Sequence, residues 1–356
     1  MDDHDLSELS VVIPNLHWHY SGVTATNRMV APRLAKFLPT AWLGSDAPER
    51  MPRMTVGDLL RLRLSSQRRK PRIWHARRNN EMMAGLSLKL LGWPLALVFT
   101  SVAQRRHSWI TRVLIARMDA VIAASEASAA YLDRPATVVL HGIDAERYRP
   151  PPDRAAAFAA TGLPGTYGIG CFGRVRAQKG TDVFVEAMCA LLPKYPDFTA
   201  IVVGAVTPDQ RAFARALEAR VAAAGLSERV RFLGELPTEE VPQWFQRISI
   251  YAFTSRNEGF GLTLLEAMAA GAALVAARAG GAQAVVRDGE TGMLVPPGDV
   301  GALVAALEPL LRAPERAAAM GRKARASVLA EFTVDAEVER IAAVYRRLLD
   351  RPQSSL

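Results

Sequence analysis

The chain has 356 residues, half of them apolar and 22% charged, enough to bury two cores of about 150 residues each and too apolar for a disordered protein. It has no run of 18 or more apolar residues, and the acidic start MDDHDLSELS lacks the basic-then-apolar pattern of a secretory signal, so the expected location is the cytoplasm. The net charge of +9 sits in the first half: Lys and Arg outnumber Asp and Glu 21 to 13 up to Pro150, and only 23 to 22 after it, a bias that suits nucleic acid, a membrane surface or a phosphorylated substrate.

Short β-branched runs alternate with helical patterns along the whole chain, the signature of parallel sheets wound with helices. In the first half the runs are 10–14, 40–43, 72–75, 96–100, 120–123 and 137–140. The segment 149–153, with three consecutive prolines, then breaks both periodicities and reads as a stiff linker. A second series follows at 169–172, 199–203, 230–233, 250–253, 273–275 and 292–295. Helices close the chain, the last over 334–349 with apolar residues at Val334, Val338, Ile341, Ala342, Tyr345 and Leu348. The fold class is therefore α/β, two doubly wound, Rossmann-like parallel-sheet domains. Their expected bounds are 1–150 and 151–332, followed at 333–356 by a helix that packs back across the domains, and a tail.

Three motifs are decoys. Gly168, Gly170 and Gly173 fit GxGxxG, but they fall inside a strand, whereas a dinucleotide fingerprint needs them between strand and helix. Asp3-His4-Asp5 resembles an acidic metal site but precedes any core, and Cys171 and Cys189 read as small buried hydrophobes without ligand spacing. No bound metal or cofactor is expected.

Two loops carry chemistry. Gly173-Arg174-Val175-Arg176-Ala177-Gln178-Lys179-Gly180 joins the first strand of the second domain to its helix. At the carboxyl edge of a parallel sheet, Arg174 and Lys179 beside helix amides suit a diphosphate. Further on, Glu258-Gly259-Phe260-Gly261-Leu262-Thr263 opens a helix that carries Glu266. Its glycines allow close backbone approach, and each carboxylate can accept from two hydroxyls, which suits ribose and sugar hydroxyls around a phosphate.

Together these loops resemble glycosyltransferase family 4, through its two Glu separated by seven residues and its G-R-x4-K-G loop. The resemblance covers nearly the whole chain and implies a retaining enzyme of the GT-B arrangement, with two domains facing a cleft. It assigns the diphosphate to Arg174 and Lys179, the ribose to Glu266 and the transferred sugar to Glu258, and makes Arg174, Lys179 and Glu258 the catalytic set. Amides near Gly261–Thr263 support donor phosphate and sugar, with Gly22, Gly173, Gly259, Phe260 and Leu262 also on the donor side. The segments 74–81 and 100–107 are similar to bacterial lipopolysaccharide core mannosyltransferases. That narrower likeness implies GDP-mannose as co-substrate and an anionic, Kdo-containing, lipid-linked acceptor. The acceptor-side candidates are His75, Arg77, Arg78, Ser101, Arg105, Arg106 and His107. Two positions depart from the family: Ser21-Gly22-Val23 replaces a Gly-Gly pair, and Ser101 stands where relatives carry His, so His107 or His75 becomes the substitute. Open alternatives are a UDP-sugar transferase, a nucleotide-sugar epimerase and a binding scaffold without catalysis. Nucleic-acid binding lacks a recognisable module.

The basic residues Arg61, Arg63, Arg68, Arg69 and Lys70 are expected to hold the protein peripherally, in a salt-sensitive way, on the inner face of the cytoplasmic membrane. Residues 105–117 repeat the pattern of cations and apolar residues, with Trp109, Ile110, Val113 and Leu114 read as core packing.

Overall fold

The computed structural model describes residues 3–16, 22–49, 51–64 and 70–350. The chain divides into two compact units, Met1–Gly142 with Val334–Leu356, and Ile143–Thr333. In the first, seven parallel strands β1 (Val11–Pro14), β2 (Thr40–Leu43), β3 (Arg53–Met54), β4 (Arg72–Ala76), β5 (Leu95–Ser101), β6 (Ala120–Ala123) and β7 (Thr137–Val138) form a sheet of order 3-2-1-4-5-6-7. In the second, β8 (Tyr167–Phe172), β9 (Phe198–Val203), β10 (Val230–Phe232), β11 (Ile248–Phe253), β12 (Ala273–Ala277) and β13 (Met293–Val295) are ordered 10-9-8-11-12-13, again all parallel. Both orders reverse once, at β1/β4 and at β8/β11. There the connections leave in opposite directions and open a crevice at the carboxyl ends of the strands.

The central strands are largely apolar because helices cover both faces of the sheet. Successive side chains alternate between them: Val11, Ile13, Ile73 and Val98 enter one core, and Val12, Trp74, Leu97 and Phe99 the other. The two-residue edge strand β3 is too short to leave a period in the sequence.

The observed boundary differs from the expected one. The first unit ends at Gly142, and the proline segment 149–153 lies inside the second unit rather than linking the two. Just beyond it, Arg154 donates to the carbonyls of Phe245, Gln246, Ile248 and Ala270, which anchors the segment to two helix ends. The last helix, Val334–Leu349, belongs to the first unit, where Val338, Ile341, Ala342, Tyr345 and Leu348 complete the core beneath Val11 and Ile13. Polar contacts fix its register. Glu337 accepts from His141 Nδ1 at 2.9 Å and from the Gly142 amide at 2.8 Å, while the Tyr345 hydroxyl pairs with His75 Nδ1.

Helix Pro314–Glu331 crosses the second unit at Gly321, where an added Cβ would lie 2.1 Å from the Gly271 carbonyl oxygen. Alanine improves a helix interior by about 1 kcal/mol over glycine, but backbone displacement in a packed core costs about 1–3 kcal/mol. Gly321→Ala should therefore lower stability, by up to about 2 kcal/mol net. A thermal unfolding midpoint equal to or above that of the wild type would show that the contact relaxes freely.

Candidate active site

The loops after β8 and β11 meet at the reversal point of the second sheet. Gly180 has φ 66° and approaches Thr254 so closely that a Cβ there would lie 2.0 Å from the Thr254 carbonyl oxygen. Thr254 Oγ1 in turn donates to the Lys179 carbonyl at 3.1 Å. Arg256 then binds the first loop from the second: its amide donates to the Gln178 carbonyl at 2.9 Å, and its guanidinium donates to the Ala177 carbonyl and to both oxygens of Asp182 at 2.7 and 2.8 Å. Gln178 returns a bond to the Asn257 carbonyl at 3.2 Å.

This stitching presents the expected donor residues together. Lys179 and Glu258 form a direct ion pair, and Glu258 Oε1 also accepts from the Gly259 amide at 3.2 Å. Arg174, on the same loop as Lys179, is exposed, with no hydrogen-bonded or ion-paired side-chain partner among the described residues. Helices Thr181–Leu191 and Leu262–Ala269 both begin at the crevice, so their unsatisfied first-turn amides and positive dipole ends point into it. Gly261, at φ 89°, turns the chain into the second of these.

Glu266 is half-buried one turn into its helix and accepts from the Tyr148 hydroxyl at 2.8 Å. Burial raises its carboxyl to about 7, opposed by the Tyr148 bond and by the charge of Arg147. Neither Tyr148 nor Arg147 stands in a motif, and the expected boundary at 150 assigned both to the other domain. Gly280 and Gly281, after β12, were also missed. An added Cβ on Gly280 would lie 2.5 Å from the Phe260 carbonyl oxygen and one on Gly281 2.7 Å from the Phe260 ring, while the Gly281 amide donates to Phe260 O at 2.6 Å. Phe260 is therefore a buried anchor, and the expectation of a donor contact is corrected for its side chain. A glycine pair following a predicted strand was the available signal.

In β8, Gly168 and Gly170 lie within the strand, where they make room for Phe158 and Ile248. Cys171 and Cys189 are free and buried. Gly22 opens helix Gly22–Leu34. Ser21 and the side chains of Asp3, His4 and Asp5 lie outside the described residues.

At the reversal point of the first sheet the acceptor-side candidates separate. His75 is buried, with Nδ1 taken by Tyr345 and Nε2 by Thr100 at 2.7 Å, and burial holds it well below the usual imidazole range. Its assignment to the acceptor is corrected: it is a neutral core histidine. Arg78 is likewise occupied, donating to Asn15 Oδ1 at 2.7 Å, Thr24 Oγ1 at 2.9 Å and Glu81 Oε1 at 2.9 Å, so it builds the crevice wall. Arg77 is half-buried at the same strand end, its pKa lowered by burial against the pull of Glu337, Tyr345 and Glu81. Ser101 and His107 come together, Oγ to Nε2 at 3.0 Å, so the imidazole stands beside the serine that replaces the family histidine. Burial, then the charge of Arg105, lowers the pKa of His107. Arg105 and Arg106 are exposed.

Residues 153–327 match the family described as Glycosyl transferases group 1. The chain is 46% identical over 347 residues to the lipopolysaccharide core biosynthesis mannosyltransferase LpcC of Rhizobium leguminosarum bv. viciae, covering 97% of this chain and 98% of that one. It is 43% identical to LpsB of Rhizobium meliloti, of the same description, covering 97% and 99%. Among solved structures, Anabaena HepE in complex with UDP superposes over 95% of this chain and all of that one, with a TM-score of 0.81 at 20% identity, which shows the shared GT-B fold. The chain is a glycosyltransferase of group 1, in the family of the lipopolysaccharide core biosynthesis mannosyltransferases.

Proposed function

We propose that the enzyme transfers mannose from GDP-mannose to a Kdo-containing, lipid-linked inner-core saccharide, with retention of configuration and without a metal. The observation that carries this reading is the stitched pair of loops at β8/β11, which gathers two cations, two carboxylates and two helix N-termini around one crevice. The whole-length likeness to two core mannosyltransferases supports the choice of sugar and acceptor.

In this mechanism Arg174, Lys179 and the first-turn amides hold the donor diphosphate. They bind it more strongly as negative charge grows on the leaving oxygen, which lowers the barrier where a metal otherwise could. Glu258 leaves Lys179 to accept from hydroxyls of the sugar, and Glu266 accepts from the ribose. The acceptor hydroxyl attacks from the face the diphosphate leaves, and the departing phosphate oxygen takes its proton. Arg77, Arg105, Arg106 and the Ser101–His107 pair belong to the acceptor side. The acidic lipid-linked acceptor places the reaction at the cytoplasmic face of a membrane, with peripheral contact. No helix among the described residues is long and apolar enough to cross one.

A panel of GDP- and UDP-sugars with a Kdo–lipid A acceptor, products read by mass, should give one hexose added from GDP-mannose. Transfer from a UDP-sugar alone would overturn the donor assignment, and an isomerised free nucleotide sugar would indicate an epimerase.

Arg174→Ala and Lys179→Ala should each lower turnover about ten- to a thousandfold, on the order of 1.4–4 kcal/mol, with folding intact. Unchanged turnover in both would remove the loop from the mechanism. Glu258→Ala should depress turnover more than it raises donor KM. Activity should persist in EDTA; loss restored by manganese or magnesium would contradict charge stabilisation by side chains and amides alone.

Glu266 gives a pH prediction with a definite sign. Its folded-state pKa, about 7, exceeds its ordinary value of 4.5, so between those values the folded state binds more protons than the unfolded chain and stability falls as pH rises. Glu266→Gln should flatten that decline while raising donor KM. In the wild type, donor KM should rise as pH falls through about 7, because a protonated carboxyl accepts fewer hydroxyl bonds. A donor KM independent of pH from 6 to 8, in an otherwise active enzyme, would sever Glu266 from the ribose.

A further inference from the structure

The cations of the first unit are unevenly committed. Arg61 pairs with Asp58, Arg63 lies over the Trp93 ring and Lys70 donates to the Ser7 carbonyl, while Arg68 and Arg69 fall outside the described residues. Two arginines on or beside helix Trp109–Ala116 are only partly used. Arg112 donates through Nε to Asp133, and its terminal nitrogens have no partner among the described residues. Arg134 donates through Nη1 alone to the carbonyls of Ile115, Ala116 and Met118, which closes the carboxyl end of that helix and leaves Nε and Nη2 over. The helix is held by a single stripe: Leu114 and Ile115 are buried, whereas Trp109, Ile110 and Val113, expected as core, are exposed.

Both arginines line a cavity of about 260 Å³ that follows this helix, from His107 before its first turn to Met118 after its last. Ile115, Met118 and Leu132 supply apolar lining. Tyr131 adds an aromatic ring that is 43% exposed, with a hydroxyl that has no partner among the described residues. His107 has Nδ1 to offer, since Nε2 is taken by Ser101 Oγ at 3.0 Å. Burial, then Arg105, lowers the His107 pKa and Asp133 opposes them, which places carboxylate and imidazole beside the same space. Against one carboxylate, the cavity holds two guanidiniums with unused donors, a phenol and an imidazole nitrogen.

A hydrocarbon chain in this cavity would cut the unused donors off from water without giving them a partner, which is costly. The volume is below the ~300–1,000 Å³ of pockets that enclose drug-sized ligands, so a single ring fits better than a nucleotide. A sugar ring matches the lining: a C–H face for an aromatic ring, and vicinal hydroxyls for a carboxylate and an imidazole nitrogen. Two guanidiniums against one carboxylate leave a positive excess for an acid group, which arginine binds in a fixed planar geometry. We propose that this cavity is the subsite for an acidic sugar of the acceptor, with its ring against Tyr131, its carboxylate on Arg112 and Arg134, and its hydroxyls shared by Asp133 and His107. The idea rests on the Kdo-containing acceptor proposed above and assigns the reading of its acid group to Arg112 and Arg134, neither of which was an acceptor-side candidate. Through His107 and Ser101 the cavity adjoins the carboxyl end of β5, next to the strands at which the sheet order reverses.

The test is saturation-transfer NMR on the full chain with free Kdo as the probe, set against mannose and mannose 6-phosphate. Kdo should bind about tenfold or more tightly than mannose. Arg112→Gln and the occluding Ala116→Trp, both at exposed positions, should each weaken Kdo binding about tenfold or more. With the lipid-linked acceptor, both should raise acceptor KM by a similar factor and change kcat far less, as for contacts made equally in the ground and transition states. Circular dichroism and an unchanged donor KM should confirm the fold. Equal binding of mannose and Kdo would overturn the reading of an acid group, and tighter binding of mannose 6-phosphate than of Kdo would make the recognised anion a phosphate and overturn the carboxylate. No Kdo binding by wild type, or Kdo binding unchanged in both variants, would overturn the subsite. The two readings fail separately. Hexose still added from GDP-mannose, with acceptor KM unaltered in both variants, removes the subsite and leaves the function. Kdo binding lost in both variants, without any transfer by wild type, removes the function and leaves the subsite.

Discussion

The candidate donor site depends on one close approach, Gly180 against the Thr254 carbonyl. With φ in the left-handed region and no Cβ, Gly180 lets the loop after β8 lie on the strand end of β11. Everything that binds the diphosphate in the proposed mechanism follows from that contact. Where the loops touch, Arg256 reaches Ala177 and Asp182, and Lys179 reaches Glu258. Arg256 is thus a cation spent on holding the two loops together, whereas Lys179 is paired only with Glu258, the carboxylate that leaves it in the proposed mechanism. Preorganised charge of this kind needs little rearrangement as the bond breaks.

The sequence conveyed the fold and these two loops well because both are local signals. An apolar run of five residues, or a glycine at a strand-to-helix turn, requires no distant partner to be read. What it concealed was pairing across long separations. Tyr148 reaches Glu266 over 118 positions, and Gly281 supports Phe260 from the next strand's loop. His75 and His107 looked equivalent as substitutes for the family histidine, and only tertiary contacts separate them. Tyr345 and Thr100 close both nitrogens of one, while the other stands at Ser101. The apolar stripe of 105–117 was ambiguous in the same way, since helical spacing shows which residues share a face but not which face is covered.

Basic composition was a partial guide. Several arginines that contribute to the net charge act as internal carbonyl clamps at helix ends. Arg154 holds four carbonyls, Arg134 those of Ile115, Ala116 and Met118, and Arg229 those of Leu192, Tyr195 and Phe198. Each offsets the negative end of a helix and satisfies groups that the helix cannot. Exposed arginines within the candidate sites, such as Arg174, Arg105 and Arg106, are a better guide to ligand charge than the total.

The first unit is discontinuous in the chain: its last helix, Val334–Leu349, is made after the whole of Ile143–Thr333. During synthesis, then, the second unit has all its strands and helices while the earlier-made unit still lacks part of the cover for Val11, Ile13 and Ile73. The half that is translated first is the last to close its core. Until Tyr345 reaches His75, that face of the sheet lacks the cover of Val338, Ile341, Ala342, Tyr345 and Leu348. A ribosome stalled before residue 334 would hold a nearly finished second unit joined to a sheet prone to aggregate.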